Sequence, residues 1–95
     1  MNTFSKLAIS NGTATSDPFQ WPGGRGVFEV GATWNGATIE LQAALPNGTY
    51  LAVGTDTTLT ANGRGGFDLP PCTMKVVVSG ATPAAVYASV ARVPS

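Results

Sequence analysis

The 95 residues carry five basic and five acidic side chains and no histidine, so the formal net charge is zero. This length matches one domain with a modest core, and nothing in the balanced charge predicts electrostatic attraction to nucleic acid or to an anionic membrane surface, so neither is expected as a partner. Charged residues make up only 11% of the chain, against about 25% in an ordinary domain. Such a surface belongs either to a subunit packed against its neighbours or to a β-domain that is simply poor in charge.

The first segment, residues 1–17, has scattered apolar residues and no sustained period. It reads as an extended N-terminal arm ahead of a domain spanning residues 18–95. Phe4, Leu7 and Ile9 equip the arm to dock on a neighbouring subunit; the other reading is a strand of the same domain. Leu7-Ala8-Ile9 is too short for a signal-peptide core, and no run is long enough to cross a membrane. Synthesis in a cytoplasm without export is expected. Pro18-Phe19-Gln20-Trp21-Pro22-Gly23-Gly24 follows as a stiff corner, because each proline fixes its own φ and pushes the residue before it into extended backbone. Phe19 and Trp21 alternate with Gln20, so both rings face one way. Capping the core is the favoured role, a ligand platform the other.

Next come two alternating runs separated by Asn35-Gly36, a pair suited to a type I′ turn. A hairpin there sets Trp34 opposite Ala37, Ala32 opposite Ile39, Val30 opposite Leu41 and Phe28 opposite Ala43, all apolar and on one face. The other face carries Glu29 and Glu40 as diagonal neighbours, about 7–8 Å apart. Pro46-Asn47-Gly48 reads as a three-residue hairpin loop that sets Ala43 opposite Leu51 and Leu41 opposite Val53. Together the two turns predict a three-stranded meander.

Beyond Val53, Thr57 to Thr60 is β-prone, with Leu59 as its core residue. Residues 61–66, Ala-Asn-Gly-Arg-Gly-Gly, read as a loop. Phe67 and Leu69 point inward, and Pro70-Pro71 ends their strand. Met74, Val76 and Val78 alternate with Lys75, which needs water. In the last strand Val86, Ala88 and Val90 point inward and Tyr87 outward. A helical period is nowhere sustained. The fold class is therefore all-β: a small antiparallel β-sandwich or barrel of about seven to eight short strands with an extended N-terminal arm.

Chemistry is hard to place on this sequence. A nucleophilic triad needs a base, usually histidine. The lone Cys72 provides neither a disulfide nor a zinc site, and it reads as a small apolar filler. The separation of Glu29 and Glu40 overlaps that of inverting glycosidases, but an open sheet face does nothing to raise either pKa. The glycine clusters around Arg25 and Arg64 lack the lysine and Ser/Thr of a phosphate loop. They read as turns whose arginines are free to pair across an interface. No catalytic, metal or cofactor site is assigned.

FQWPGGRGVFEVGATWNGATIELQ, DTTLTANGRGGFDLPP and the closing AVYASVARV resemble small virion structural proteins of tailed bacteriophages, across residues 18–93. The most specific parts are Trp21-Pro22-Gly23-Gly24-Arg25-Gly26 and Phe67-Asp68-Leu69-Pro70-Pro71. The resemblance implies a non-enzymatic capsid decoration, or cement, protein. Its partners would be the major capsid protein and other copies of itself, as a homotrimer, in a virion assembled in the bacterial host cytoplasm. The interface candidates are Phe4, Leu7, Ile9, Phe19, Trp21, Arg25 and Arg64. The alternative is a tail- or fibre-associated module that binds host glycans by stacking them on Trp21, Trp34 or Tyr87.

Overall fold

The computed structural model describes residues 5–12 and 14–93, without the side chain of Ser5. Nine strands are described: β1 (Ser5–Gly12), β2 (Phe19–Trp21), β3 (Gly24–Thr33), β4 (Thr38–Ala44), β5 (Tyr50–Ala52), β6 (Thr58–Leu59), β7 (Gly63–Leu69), β8 (Cys72–Ser79) and β9 (Ala84–Arg92). A single 3-10 turn, Thr55–Thr57, precedes β6. The strands form two antiparallel sheets. One runs β1-β9-β3-β7 and the other β2-β8-β4-β5, with β6 also paired to β4. The expected β-sandwich is therefore present.

The Asn35-Gly36 turn forms, but the hairpin around it does not. Asn35 and Gly36 both have positive φ, at 52° and 86°, and the Ala37 N–H donates to the Trp34 carbonyl at 2.8 Å. Beyond the turn the strands part. β3 pairs with β7 and β9 in the first sheet, and β4 with β8, β5 and β6 in the second. The turn is thus an arch between layers. Phe28 and Val30 lie across the core from Ile39 and Leu41 rather than beside them, and all four are buried. Alternation demands a cover for one face of each strand. Folding one apolar face onto the other covers both at once, whereas a hairpin leaves them side by side and still open.

The second turn pairs as expected. Ala43 lies opposite Leu51, the Val53 N–H reaches the Leu41 carbonyl at 3.0 Å, and Gly48 has φ of 90°. The inward sets also hold. Met74, Val76, Val86, Ala88 and Val90 are buried while Tyr87 is exposed. Phe67, Leu69, Leu59 and Val78 pack against the rim of the core.

Two other expectations are corrected. Residues 5–12 are not an arm but a sheet strand: β1 pairs with β9 from Ser5–Ala91 to Gly12–Val86, and Ile9 is buried in the core. The chain then crosses to the second sheet, where the Ser16 N–H donates to the Val76 carbonyl, Ser16 Oγ accepts the Val76 N–H and Thr15 Oγ1 accepts the Val78 N–H. These contacts continue the edge that β2 begins. Residues 63–66 are not a loop but the first half of β7. Their glycines serve clearance: a Cβ on Gly65 would run into the Asp56 carbonyl of the 3-10 turn. Gly26 leaves room for Trp21 and Phe67, whose rings sit 4.9 Å apart.

Gly65→Ala must push the 3-10 turn away from β7 and should lower stability by about 1–3 kcal/mol, an overpacking effect. Gly31 has open space around its Cβ direction and no positive φ, so Gly31→Ala should be neutral or gain about 0.5 kcal/mol through the unfolded chain. Urea midpoints of the two variants against the parent check the contrast.

Candidate interaction surfaces

The interface candidates separate into a buried and an exposed group. Ile9, Phe19 and Trp21 belong to the core, with Trp21 only 1% exposed. None of the three offers a face to a partner. Leu7 is 52% exposed and lies beside Ser89 on the outer face of the first sheet. Arg25 and Arg64 are exposed on the same face, at register positions opposite Asp68 and Glu29. Phe4 lies outside the described residues.

The carboxylate pair of the expected hairpin is dissolved by the arch. Glu29 sits in β3 and is approached by the Arg64 guanidinium at 3.5 Å. Glu40 sits in β4, in the other sheet, and accepts a 3.0 Å hydrogen bond from the Gln42 amide. Beside it on the second sheet's outer face, Lys75 Nζ lies 4.2 Å from the centre of the Tyr50 ring. Among the described residues no three His, Cys, Asp or Glu side chains gather at one point. Two carboxylates in opposite sheets of a sandwich do not meet on one substrate, so the pair expected from the hairpin is not assembled.

Two of the concavities among the described residues border these candidate surfaces. One is an apolar groove of about 570 Å³ between the β4–β5 hairpin and the Pro70-Pro71 corner, with Leu45, Leu51, Leu69 and Cys72 in its walls. Leu51 falls on the expected inner side of its strand, yet it is 52% exposed, because the sandwich is open at this seam. Burial raises the Cys72 thiol pKa above its usual value, which fits an apolar filler. The other is a shallow hollow of about 360 Å³ on the outer face of the first sheet, bordered by Leu7, Tyr87, Ser89, Glu29 and Arg64. Gly31 and Ser89 form its low floor, because their side chains are small.

Sequence reading missed Asn62. Its Oδ1 accepts the Trp34 Nε1–H at 2.7 Å and the Ala32 backbone N–H at 3.0 Å, closing the end of β3. Trp34 packs partly against the core, so its indole is held and not free to stack on a sugar. Tyr87 is the one aromatic of the expected glycan set with an open face. Asp68 was also missed as a partner for Arg25. The alternation that placed Phe67 and Leu69 inward already put Asp68 outward, but only the β3–β7 pairing brings it to Arg25.

The chain matches no protein-family profile and no curated protein sequence. Among solved structures it is similar to YomS, an SPBc2 prophage-derived protein, at 19% identity and a TM-score of 0.60, covering 95% of this chain and 93% of that one. The two share a fold across nearly their whole lengths. Weaker likeness extends to the VP2 subviral particle of infectious bursal disease virus (19% identity, TM-score 0.45) and to the Gx strain of that virus (14%, 0.43). In both cases 95% of this chain is covered, but it spans under a third of the viral chain.

Two measurements test these assignments. Asn62→Ala should lose about 1 kcal/mol or slightly more, the net worth of its hydrogen bonds, with a change in tryptophan fluorescence as the Trp34 indole is released. Cys72 should react with iodoacetamide more slowly in the folded protein than in urea at the same mildly alkaline pH. As pH rises the unfolded chain loses its thiol proton first. The contribution of Cys72 to stability is therefore complete below the unfolded pKa, near 8.5, and falls as pH passes upward through the raised folded value.

Proposed function

We propose that this protein is a non-enzymatic structural component of a phage particle, binding the shell of major capsid protein as a decoration protein and associating with copies of itself. The observation that carries this reading is the whole-chain likeness to a prophage-derived protein of the same size and fold. A charge-poor composition with zero net charge supports it. Such a surface does little to keep free monomers apart, and it suits a lattice on which many weak identical contacts add up. The outer faces of both sheets, the seam groove and Leu7 supply surface for such contacts. The resemblance of the sequence to phage virion proteins points the same way and implies three copies per assembly. The glycan-binding alternative is weakened by the burial of Trp21 and the tethering of Trp34, which leave it Tyr87 alone.

Shells assembled from the major capsid protein of a phage encoding this chain should bind it saturably in co-sedimentation and gain resistance to heat. Shells that neither bind it nor change their melting temperature would overturn the reading. Saturable binding on a glycan array, lost in Tyr87→Ala, would replace it with the glycan-binding alternative.

A further inference from the structure

Four of the ten charged side chains of this chain lie on two neighbouring strands of one sheet face. In β3 the order along the strand is Arg25, Val27, Glu29. In β7 the residues opposite are Asp68, Gly66 and Arg64. All four charges are exposed and outward, alternating with the inward Gly26, Phe28, Gly65 and Phe67. Positive faces negative at one end of this ribbon, and the signs are exchanged at the other end. The middle row is small and apolar: Val27 is flanked by Gly66 on one side and Ala91 of β9 on the other.

A checkerboard of this kind complements itself. Place a second copy face to face, related by a twofold axis that crosses the strands along the Ala91–Val27–Gly66 row. Arg25 then lies over the Glu29 of the other copy, Glu29 over its Arg25, Asp68 over its Arg64 and Arg64 over its Asp68. Val27 meets Val27 on the axis. The same operation keeps the strands of the two sheets nearly aligned, as sheet-on-sheet packing prefers. An isologous contact requires this exchange, in which one residue meets a second and the second meets the first.

The edges of the sheets are poorly suited to the competing mode, strand addition. β1 is bulged at two places and carries an exposed lysine, Lys6. β2 and β5 are three residues long, and β7 has glycine at three of its first four positions. Short, bulged, lysine-bearing edges discourage pairing between chains. An open sheet face with balanced charge does not.

The geometry points to the outer face of the first sheet, centred on Val27, as a twofold contact between copies of this chain, registered by Arg25, Glu29, Arg64 and Asp68. This deepens the self-association named above and rests on that part of the proposed function. It also makes the primary contact a dimer rather than the trimer implied by resemblance. Solvent-exposed ion pairs add little energy each; their work here is to fix register and reject misaligned copies. The four strands span roughly 15 Å, so the patch belongs to the small interface class, below about 1,200 Å² in total. A contact of that size is reversible in solution and gains strength when repeated on a lattice.

Charge exchange between two variants is the test. Arg25→Glu with Arg64→Glu makes the face wholly acidic; Glu29→Lys with Asp68→Lys makes it wholly basic. By sedimentation equilibrium the parent should be a monomer–dimer system that weakens as salt rises. Each variant alone should dimerise at least about tenfold more weakly, with circular dichroism showing the parent fold. Mixed in equal amounts, the two should form a one-to-one heterodimer. If either double variant does not fold, Val27→Glu provides the second arm: it sets two carboxylates against each other on the axis and should also abolish the dimer. A parent that is monomeric or trimeric, a dimer indifferent to these substitutions, or folded variants that fail to associate on mixing would overturn the assignment. A dimer that ignores the charge exchange rejects this face and leaves the particle role standing. A charge-sensitive dimer that does not bind shells rejects the particle role and leaves this face standing.

Discussion

Everything in this structure hangs on the closure of two apolar strand faces over each other. Phe28 and Val30 on one side, and Ile39 and Leu41 on the other, are buried because a two-residue arch at Asn35-Gly36 sends their strands to opposite layers. Each large side chain so buried contributes about 1.5–3 kcal/mol. β3 and β4 thereby become interior strands of their sheets, and the remaining strands assemble outward from them. In a chain with a single cysteine, stability rests on this contact and on the buried side chains that β8 and β9 add to it, Met74, Val76, Val86 and Val90. Trp21 and Phe67 extend it at one end, and Asn62 ties it at the other.

Facing was legible from the sequence; partnership was legible only where a turn left no choice. Period-two alternation is local, so Met74 and Val76, Val86 to Val90, and the outward Tyr87 could be assigned strand by strand. Ala43 opposite Leu51 followed because a three-residue loop admits one close register. Phe28 and Ala43 were misassigned as cross-strand neighbours because an Asn-Gly turn serves both a hairpin and an arch. The difference between them is decided by β7, β8 and β9, which begin only at Gly63. Gly63 to Gly66 looked like a loop because glycine is a poor strand former. Pairing with β3 and the need to clear Asp56 override that preference. Ile9 shows the same limit, since its burial depends on β9 at the far end of the chain.

The surfaces were less legible than the core, for a related reason. A core residue announces itself by being apolar at the right period. A contact residue is defined by what tertiary pairing sets beside it. Arg25 and Arg64 drew notice as isolated arginines among glycines, yet their meaning lies in Asp68 and Glu29 across the β3–β7 ladder. A charge-poor chain that spends four of its charges on one two-stranded ribbon leaves much of its remaining surface to hydroxyls, amides and small apolar groups. The polar faces and the open Leu51 seam are therefore chemically distinct regions of one small body.

The position of β9 has a bearing on how the molecule is made. It sits between β1 and β3, so among the described residues β1 has its ladder with the strand most distant from it along the sequence. Until Ala84–Arg92 takes its place, β1 lacks this ladder, Ile9 lacks the cover that β9 gives it, and one flank of β3 lies bare. Such non-local topologies fold slowly, and their incomplete forms expose apolar surface that invites aggregation. Folding of this domain is therefore complete only when one distant strand slots into the gap between β1 and β3.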